Sequence, residues 1–194
     1  MDARIERTQN AVMAAAADLV VEQGPAGLTV DAVVARSGVA KSTVYRHWAT
    51  RDELVAAVFA NCAPKLEAPD PSLGFEPALR ALAHHFVALL NDEQWKRFLP
   101  ALLILKSQKN AIAELNGEME QQQTVVIASV LELGVVEGVL RPEVLDDIDA
   151  TMTLLVGPIL MAGLVDSVPL DEAFADRAVD QFLAAQRVRA TSLA

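Results

Sequence analysis

The chain has 194 residues, of which 53% are hydrophobic but only 5% aromatic, and its formal net charge is −10. This length is sufficient for one or two domains with a sizeable core. The single cysteine, Cys62, excludes an internal disulfide and a multi-cysteine metal site. The charged N-terminus MDARIERTQN does not resemble a signal peptide, so we expect a cytoplasmic protein.

Helical periodicity runs through the chain, whereas the period-two alternation of strands is nearly absent. We therefore predict an all-α fold of about nine helices. The predicted helices cover residues 2–23, 30–37, 40–48, 51–62, 78–90, 93–106, 110–133, 146–165 and 171–189. A Pro-rich stretch over residues 64–77 separates two predicted domains, 1–62 and 63–194.

The stretch from Leu28 to Leu54 has the layout of a helix-turn-helix. Thr29 is suited to cap a helix, and Gly38 ends it because glycine adopts the left-handed conformation at little cost. Val44 and Trp48 are predicted to face inward from a second helix, since residues four apart lie on one helical face. The second helix of such a motif enters the major groove of DNA.

The second helix of the motif presents a polar surface suited to hydrogen bonding. Its first residues can contact base edges or phosphates, and Arg46 is the best candidate for bidentate reading of guanine. His47 and Arg51 are predicted to contact backbone phosphates. The predicted DNA contacts from this region are Lys41, Ser42, Thr43, Tyr45, Arg46, His47 and Arg51.

Local charge resolves the conflict between an acidic chain and DNA binding. Residues 1–60 contain six Lys and Arg against seven Asp and Glu, a net charge of −1, so the remaining residues carry −9. The acidity therefore belongs to the C-terminal part. A nearly neutral N-terminal region predicts few phosphate contacts and a modest salt dependence of binding.

The residues of this motif resemble the tetracycline-repressor (TetR) family of bacterial transcriptional regulators. The strong match covers roughly residues 8–59. The matching positions are Gly38, Val39, Thr43, Tyr45, His47, Trp48, Thr50 and Arg51. The resemblance implies an N-terminal three-helix DNA-binding domain, a phosphate contact from Thr29, and a C-terminal helical domain for effector binding and dimerisation.

The C-terminal part is expected to supply the dimer interface and the effector pocket. Residues 151–164 carry no charge, and a helix that is apolar all round must be buried on all sides. The resemblance implies that the last two helices pair with those of a second copy, which suits a palindromic operator. The alternative is that this helix lies at the centre of one domain. Candidate pocket residues are Phe86, Trp95, Phe98, Leu102, Met119 and Met152.

Together these patterns predict a homodimeric repressor that a small lipophilic effector releases from double-stranded DNA. No cofactor, no metal and no catalytic residue is predicted, because no phosphate loop, HExxH motif or Cys–His nucleophile pair is present. The adjacent His84 and His85 point about 100° apart on a helix, which disfavours a metal pair. The alternatives are a helical small-molecule carrier or enzyme with a vestigial helix-turn-helix, and a regulator switched by a protein partner or by no ligand.

Overall fold

The computed structural model of the chain describes residues 3–62, 66–107, 117–165 and 168–188. This part contains nine α-helices and no β-strand apart from an isolated bridge between Leu140 and Arg187, so the predicted all-α fold is confirmed for it. Two short 3-10 turns cover Pro71–Leu73 and Pro142–Leu145. The helices are α1 (Ala3–Gly27), α2 (Val30–Ser37), α3 (Lys41–His47), α4 (Arg51–Cys62), α5 (Phe75–Asn91), α6 (Glu93–Ser107), α7 (Gly117–Val136), α8 (Ile148–Val165) and α9 (Glu172–Gln186).

Local breaks and caps set several of these boundaries. The backbone of α1 is interrupted at Gly24, where φ is 70° and ψ is −178°, as the Gly-Pro pair predicted. Thr50 caps α4, because Thr50 Oγ1 accepts from the Glu53 N–H, one of the groups that the first turn of a helix leaves free. The Glu53 carboxylate accepts from the N–H of Ala49, the residue before the cap.

Several predicted boundaries differ from the structure by a few residues, and two of them have a clear physical cause. Helix α5 begins at Phe75 rather than Ala78, because Pro77 is tolerated in a first turn and the Glu137 carboxylate accepts from the Phe75 N–H at 3.0 Å. Helix α9 ends at Gln186, since Arg187 is extended and pairs with Leu140. The predicted continuation is therefore wrong for residues 187 and 188, whereas Arg189 and the predicted start of α7 over residues 110–116 lie outside the described residues.

The helices form two compact units. The first contains α1 to α4 and α6, and the second contains α5, most of α7, α8 and α9. The two units therefore group α6 with α1 rather than with α5, its neighbour in sequence. The domain boundary between residues 62 and 63 stays a prediction.

Each unit has its own apolar core. In the first, Phe59 of α4 packs against Phe98 of α6, with ring centroids 4.6 Å apart, and Phe98 stacks on Trp95. In the second, α5 packs against α8 and α9, and α7 ends where Gly134 lies against Phe75 and Leu140. A side chain at Gly134 would collide with both neighbours.

Helix α8 is the most apolar of the described helices. Its residues 148–165 have a mean hydropathy of 1.8, and 28% of them are buried. By length and composition it is the one described helix that could cross a membrane, which is weak evidence because a helix covered by protein has the same composition. Part of its apolar surface is exposed in the described chain, at Leu154, Met161 and Val165.

Candidate nucleic-acid interface

The predicted helix-turn-helix is present, and local hydrogen bonds define it. Thr29 Oγ1 accepts from the Ala32 N–H at 3.1 Å, so Thr29 caps α2. Helix α2 ends at Gly38, where φ is 69° and the N–H donates to the Val34 carbonyl. The turn then continues directly into α3, which begins at Lys41.

Helix α3 is anchored by one side and exposes the other. Val44 is completely buried, whereas Tyr45 is 45% exposed although it is a large aromatic residue. Lys41, Ser42 and Arg46 are exposed as well, and Thr43 is half-buried. Among the described residues, Arg46 has no hydrogen-bond or ion-pair partner. The exposed side of the helix thus carries polar and aromatic side chains.

The end of α3 differs from the prediction. The helix stops at His47, and Trp48 is an extended C-cap residue that is half-buried, not a fully buried residue on the helix. The His47 and Trp48 rings lie 5.5 Å apart, and His47 Nδ1 lies 3.3 Å from Gln9 Nε2 of α1. His47 is therefore tied to α1, a contact that the sequence pattern did not indicate.

Arg51 is also engaged within the protein. Its Nε donates to the Leu28 carbonyl at 2.8 Å, and one terminal nitrogen donates to the Pro25 carbonyl. The other terminal nitrogen lies 3.3 Å from a carboxylate oxygen of Asp52. The geometry therefore gives this guanidinium a role in joining α4 to the turn between α1 and α2, whereas the sequence pattern indicated a phosphate contact.

Two cations of the helix-turn-helix form ion pairs with carboxylates of the same chain. Lys41 Nζ lies 2.6 Å from Asp31 Oδ1, and Arg36 lies 2.6 Å from Glu22. The hydrogen bond to Asp31 raises the pKa of Lys41, and the hydrogen bond to Glu22 likewise raises the pKa of Arg36. Both cations stay charged at neutral pH, but each has a carboxylate beside it.

Comparison with known proteins agrees with this arrangement. The family profile described as "Bacterial regulatory proteins, tetR family" matches residues 12–58. A second profile, "Tetracyclin repressor-like, C-terminal domain", matches residues 75–182, which is more than half of the chain. The chain belongs to the TetR family. Members of this family are helix-turn-helix transcriptional regulators that bind operator DNA and act as dimers, typically as repressors with a ligand-binding C-terminal domain.

Relatives and solved structures match over different lengths of this TetR-family chain. The uncharacterized HTH-type transcriptional regulator YdeS of Bacillus subtilis is 24% identical over 97% of this chain and 94% of its own. The HTH-type transcriptional repressor Rv3405c of Mycobacterium tuberculosis is 41% identical over 31% of this chain and 32% of its own. The structure of the flavonoid-responsive regulator FrrA has a TM-score of 0.73 at 22% identity, covering 95% of this chain and 100% of that chain, which shows a shared fold.

The predicted effector residues of this TetR-family regulator belong to both units. Trp95, Phe98 and Leu102 are buried in the first unit, whereas Met152 is buried and Phe86 half-buried in the second. The side chain of Met119 lies outside the described part. Trp95 and Phe98 pack in the core with Phe59 of α4. A pocket lined by the six residues therefore stays a prediction.

The described residues of each unit form open grooves instead. A groove of about 420 Å³ in the second unit is lined by residues of α8 and α9, including Leu154, Pro158, Phe174 and Phe182. A cleft of about 410 Å³ between α1 and α6 includes Phe98 beside the charged residues Asp18, Glu93 and Arg97. Elsewhere in the second unit, His84 Nε2 lies 3.0 Å from an oxygen of Asp176. This contact uses a histidine that the sequence offered only as a weak metal candidate.

Proposed function

We propose that this TetR-family chain is a cytoplasmic, homodimeric repressor that reads its operator with the exposed face of α3. The proposal is carried by the two sides of α3. Val44 is fully buried, whereas the adjacent Tyr45 is exposed, and the side chain of Arg46 has no partner in the described part of the chain. An exposed aromatic ring and a guanidinium without a partner have no evident structural use here. Both suit the edge of a base pair in the major groove.

The other α3 residues and Thr29 complete the proposed contact set. Lys41, Ser42 and Thr43 open the helix and can donate to bases or phosphates, while Thr29 and His47 are proposed to contact phosphates from the ends of α2 and α3. We propose Arg51 as a positioning residue, because its nitrogens already donate to backbone carbonyls.

A dimer through α8 and α9 is supported by their exposed apolar face. Leu154, Met161 and Val165 lie along α8 at spacings of seven and four, and each is about 60% exposed. Such a stripe faces one direction on a helix and favours a partner helix rather than water. A two-fold dimer would place two copies of α3 against successive turns of DNA, roughly 34–36 Å apart.

Release by a small lipophilic effector is proposed from the aliphatic character of the C-terminal part. Effector binding would favour a dimer state in which the two copies of α3 no longer match the operator spacing. The effector is expected to be weakly polar, because the buried residues of the second unit are almost all aliphatic or aromatic.

Fluorescence anisotropy tests the DNA contacts. Duplexes that tile the upstream region of the gene are titrated with the full chain, and an unrelated duplex serves as the reference. Arg46→Ala and Tyr45→Ala should each weaken operator binding by at least about tenfold, since a good base contact contributes roughly 1–3 kcal/mol. Dimerisation should be unaffected.

Arg97→Ala is the matched control, because it removes an exposed arginine of α6 outside the motif. It should bind the operator nearly as tightly as the wild type. The proposal fails if no duplex is preferred over the unrelated one, or if all three variants bind alike. The same assay with lipophilic compounds added tests release: at least one compound should lower the anisotropy and raise the melting temperature.

A further inference from the structure

Asp31 lies on the surface that is proposed to face DNA, where a carboxylate is unexpected. It belongs to the first turn of α2, two residues after the cap Thr29. Its side chain is 78% exposed, and it lies 2.6 Å from the ammonium of Lys41 at the start of α3. The two residues are ten positions apart, so the contact joins the two helices of the motif.

Local helix chemistry accounts for Asp31 only in part. An acidic residue in a first turn is favoured by the helix dipole, which explains a carboxylate on α2. The dipole of α2 does not explain why this carboxylate binds the first cation of α3. Exposed ion pairs also contribute little to stability, so the fold does not require this one.

The consequence for DNA binding is a matter of charge. A phosphate that approached Lys41 would meet Asp31 beside it, and the two negative groups would repel each other. Residues 1–60 carry a net charge of only −1, so a single carboxylate changes the net charge of this region considerably. Of the other cations, Arg36 is paired with Glu22 and Arg51 with backbone carbonyls.

We propose that Asp31 is a specificity-determining residue, which holds Lys41 in the free protein and weakens sequence-independent binding to the DNA backbone. This inference rests on the proposed function. On the operator, base contacts fix α3 in a position where Lys41 stays beside Asp31, so removing the carboxylate gains little affinity there. On an unrelated duplex these base contacts are missing and binding depends on the phosphates, so the carboxylate beside Lys41 lowers the affinity.

Asp31→Asn tests the proposal, since it keeps the shape of the side chain and removes its charge. Binding of the full chain is measured on an unrelated duplex and on the preferred upstream duplex, over a series of salt concentrations. Affinity for the unrelated duplex should rise about fivefold at low salt, the size of a Coulomb interaction between unit charges a few ångströms apart in water. The slope of log K against log salt should become steeper by about 0.9, because Lys41 is then free to neutralise one more phosphate.

The preference for the upstream duplex should fall in the same variant, because its affinity rises less than that for the unrelated duplex. Asp18→Asn is the matched control: it removes the same charge from an exposed residue of α1 that lines the cleft against α6. It should leave the slope unchanged. In the double variant Asp31→Asn with Lys41→Met, the added slope should disappear, because the freed cation is gone.

Three results would overturn the proposal: a slope in Asp31→Asn equal to that of Asp18→Asn, a loss of affinity for both duplexes, or an added slope that survives Lys41→Met. These are distinct from failure of the proposed function. If the wild type prefers one duplex and Asp31→Asn behaves like it, only the role of Asp31 is wrong. If the wild type binds no duplex at low salt, the function itself is wrong.

Discussion

Arg51 shows how a single side chain can hold the DNA-reading part of this molecule together. Its planar guanidinium reaches the carbonyl of Pro25, in the last turn of α1, and that of Leu28, between α1 and α2. The same residue begins α4, so the start of α4 is tied to the turn that leads into α2. An arginine suits this task because its donors form a rigid fork, whereas a lysine offers one compact ammonium.

We expect Arg51→Lys to lower the free energy of unfolding by about 1–2 kcal/mol, because hydrogen bonds from a charged donor are lost while the charge remains. Thermal or denaturant unfolding measures this. Operator affinity should fall as well, with an unchanged salt slope, since no phosphate contact is removed. If Arg51→Lys is as stable as the wild type while Arg51→Gln reduces the salt slope by about one, Arg51 contacts a phosphate after all.

At the scale of elements, a row of charged residues joins α5 to α9 beside their apolar contact. Glu76, Arg80 and His84 follow one face of α5 at spacings of four. Arg80 contacts Glu76 at 2.9 Å, Asp176 at 3.2 Å and Asp180 at 2.6 Å, and His84 contacts Asp176. One guanidinium therefore forms ion pairs with three carboxylates. The helical periodicity of the sequence did not indicate this row.

We expect Arg80→Met to lower the free energy of unfolding at neutral pH by about 1 kcal/mol, at the upper end for exposed ion pairs. Asp176 and Asp180 then lose the guanidinium beside them, whereas Glu76 keeps its contact with Arg187. Arg97→Met is the matched control, since Arg97 has no ion pair within the described residues, and it should change the stability little. Equal loss in the two variants would contradict the role of Arg80.

The pH dependence of the same variant provides a second measurement. Burial raises the pKa of Asp176, but the hydrogen bonds with His84 and Arg80 outweigh it and hold this pKa below the ordinary value of 3.8. Its stabilising effect is therefore present above that value and is lost as the pH falls through the lowered pKa. In Arg80→Met, the free energy of unfolding should therefore decrease less than in the wild type as the pH falls below about 4.

At the scale of the whole molecule, α8 of the single chain exposes apolar side chains to water. Leu154 is 62% exposed and Met161 61%, although the helix has the highest mean hydropathy of the described elements. The groove beside this face continues onto α9 through Phe174 and Phe182. TetR-family regulators act as dimers, and burial of this face by a second copy, as proposed above, would remove apolar surface from water.

We expect Met161→Glu to weaken dimerisation at least about a hundredfold, since an unpaired buried charge costs roughly 3 kcal/mol or more. Sedimentation equilibrium measures the change, and circular dichroism checks that the helices remain. Val125→Glu is the control, because Val125 is 63% exposed on α7, outside the proposed interface. A dimer that survives Met161→Glu, or that dissociates equally in Val125→Glu, would place the interface elsewhere.

The helix-turn-helix could be predicted from the chain because its determinants are local. The Thr29 cap joins residues three apart, Gly38 closes α2 through a bond four residues back, and Val44 follows from helical period alone. Interactions over three or four positions are present wherever that stretch folds, so the motif and its exposed face follow without knowledge of the rest. The family assignment and the all-α fold were predictable on the same basis.

Contacts between residues that are distant in sequence could not be predicted without the tertiary structure. Asp31 meets Lys41 across ten residues, Arg51 meets Leu28 across 23, and Glu137 sets the start of α5 from 62 positions away. A long charged side chain has many possible partners in a sequence, and which of them it contacts depends on where the ends of the other helices lie in the tertiary structure. Packing likewise grouped α6 with α1 and left the candidate effector residues in separate units, because a periodic pattern says which face is apolar but not which helix covers it.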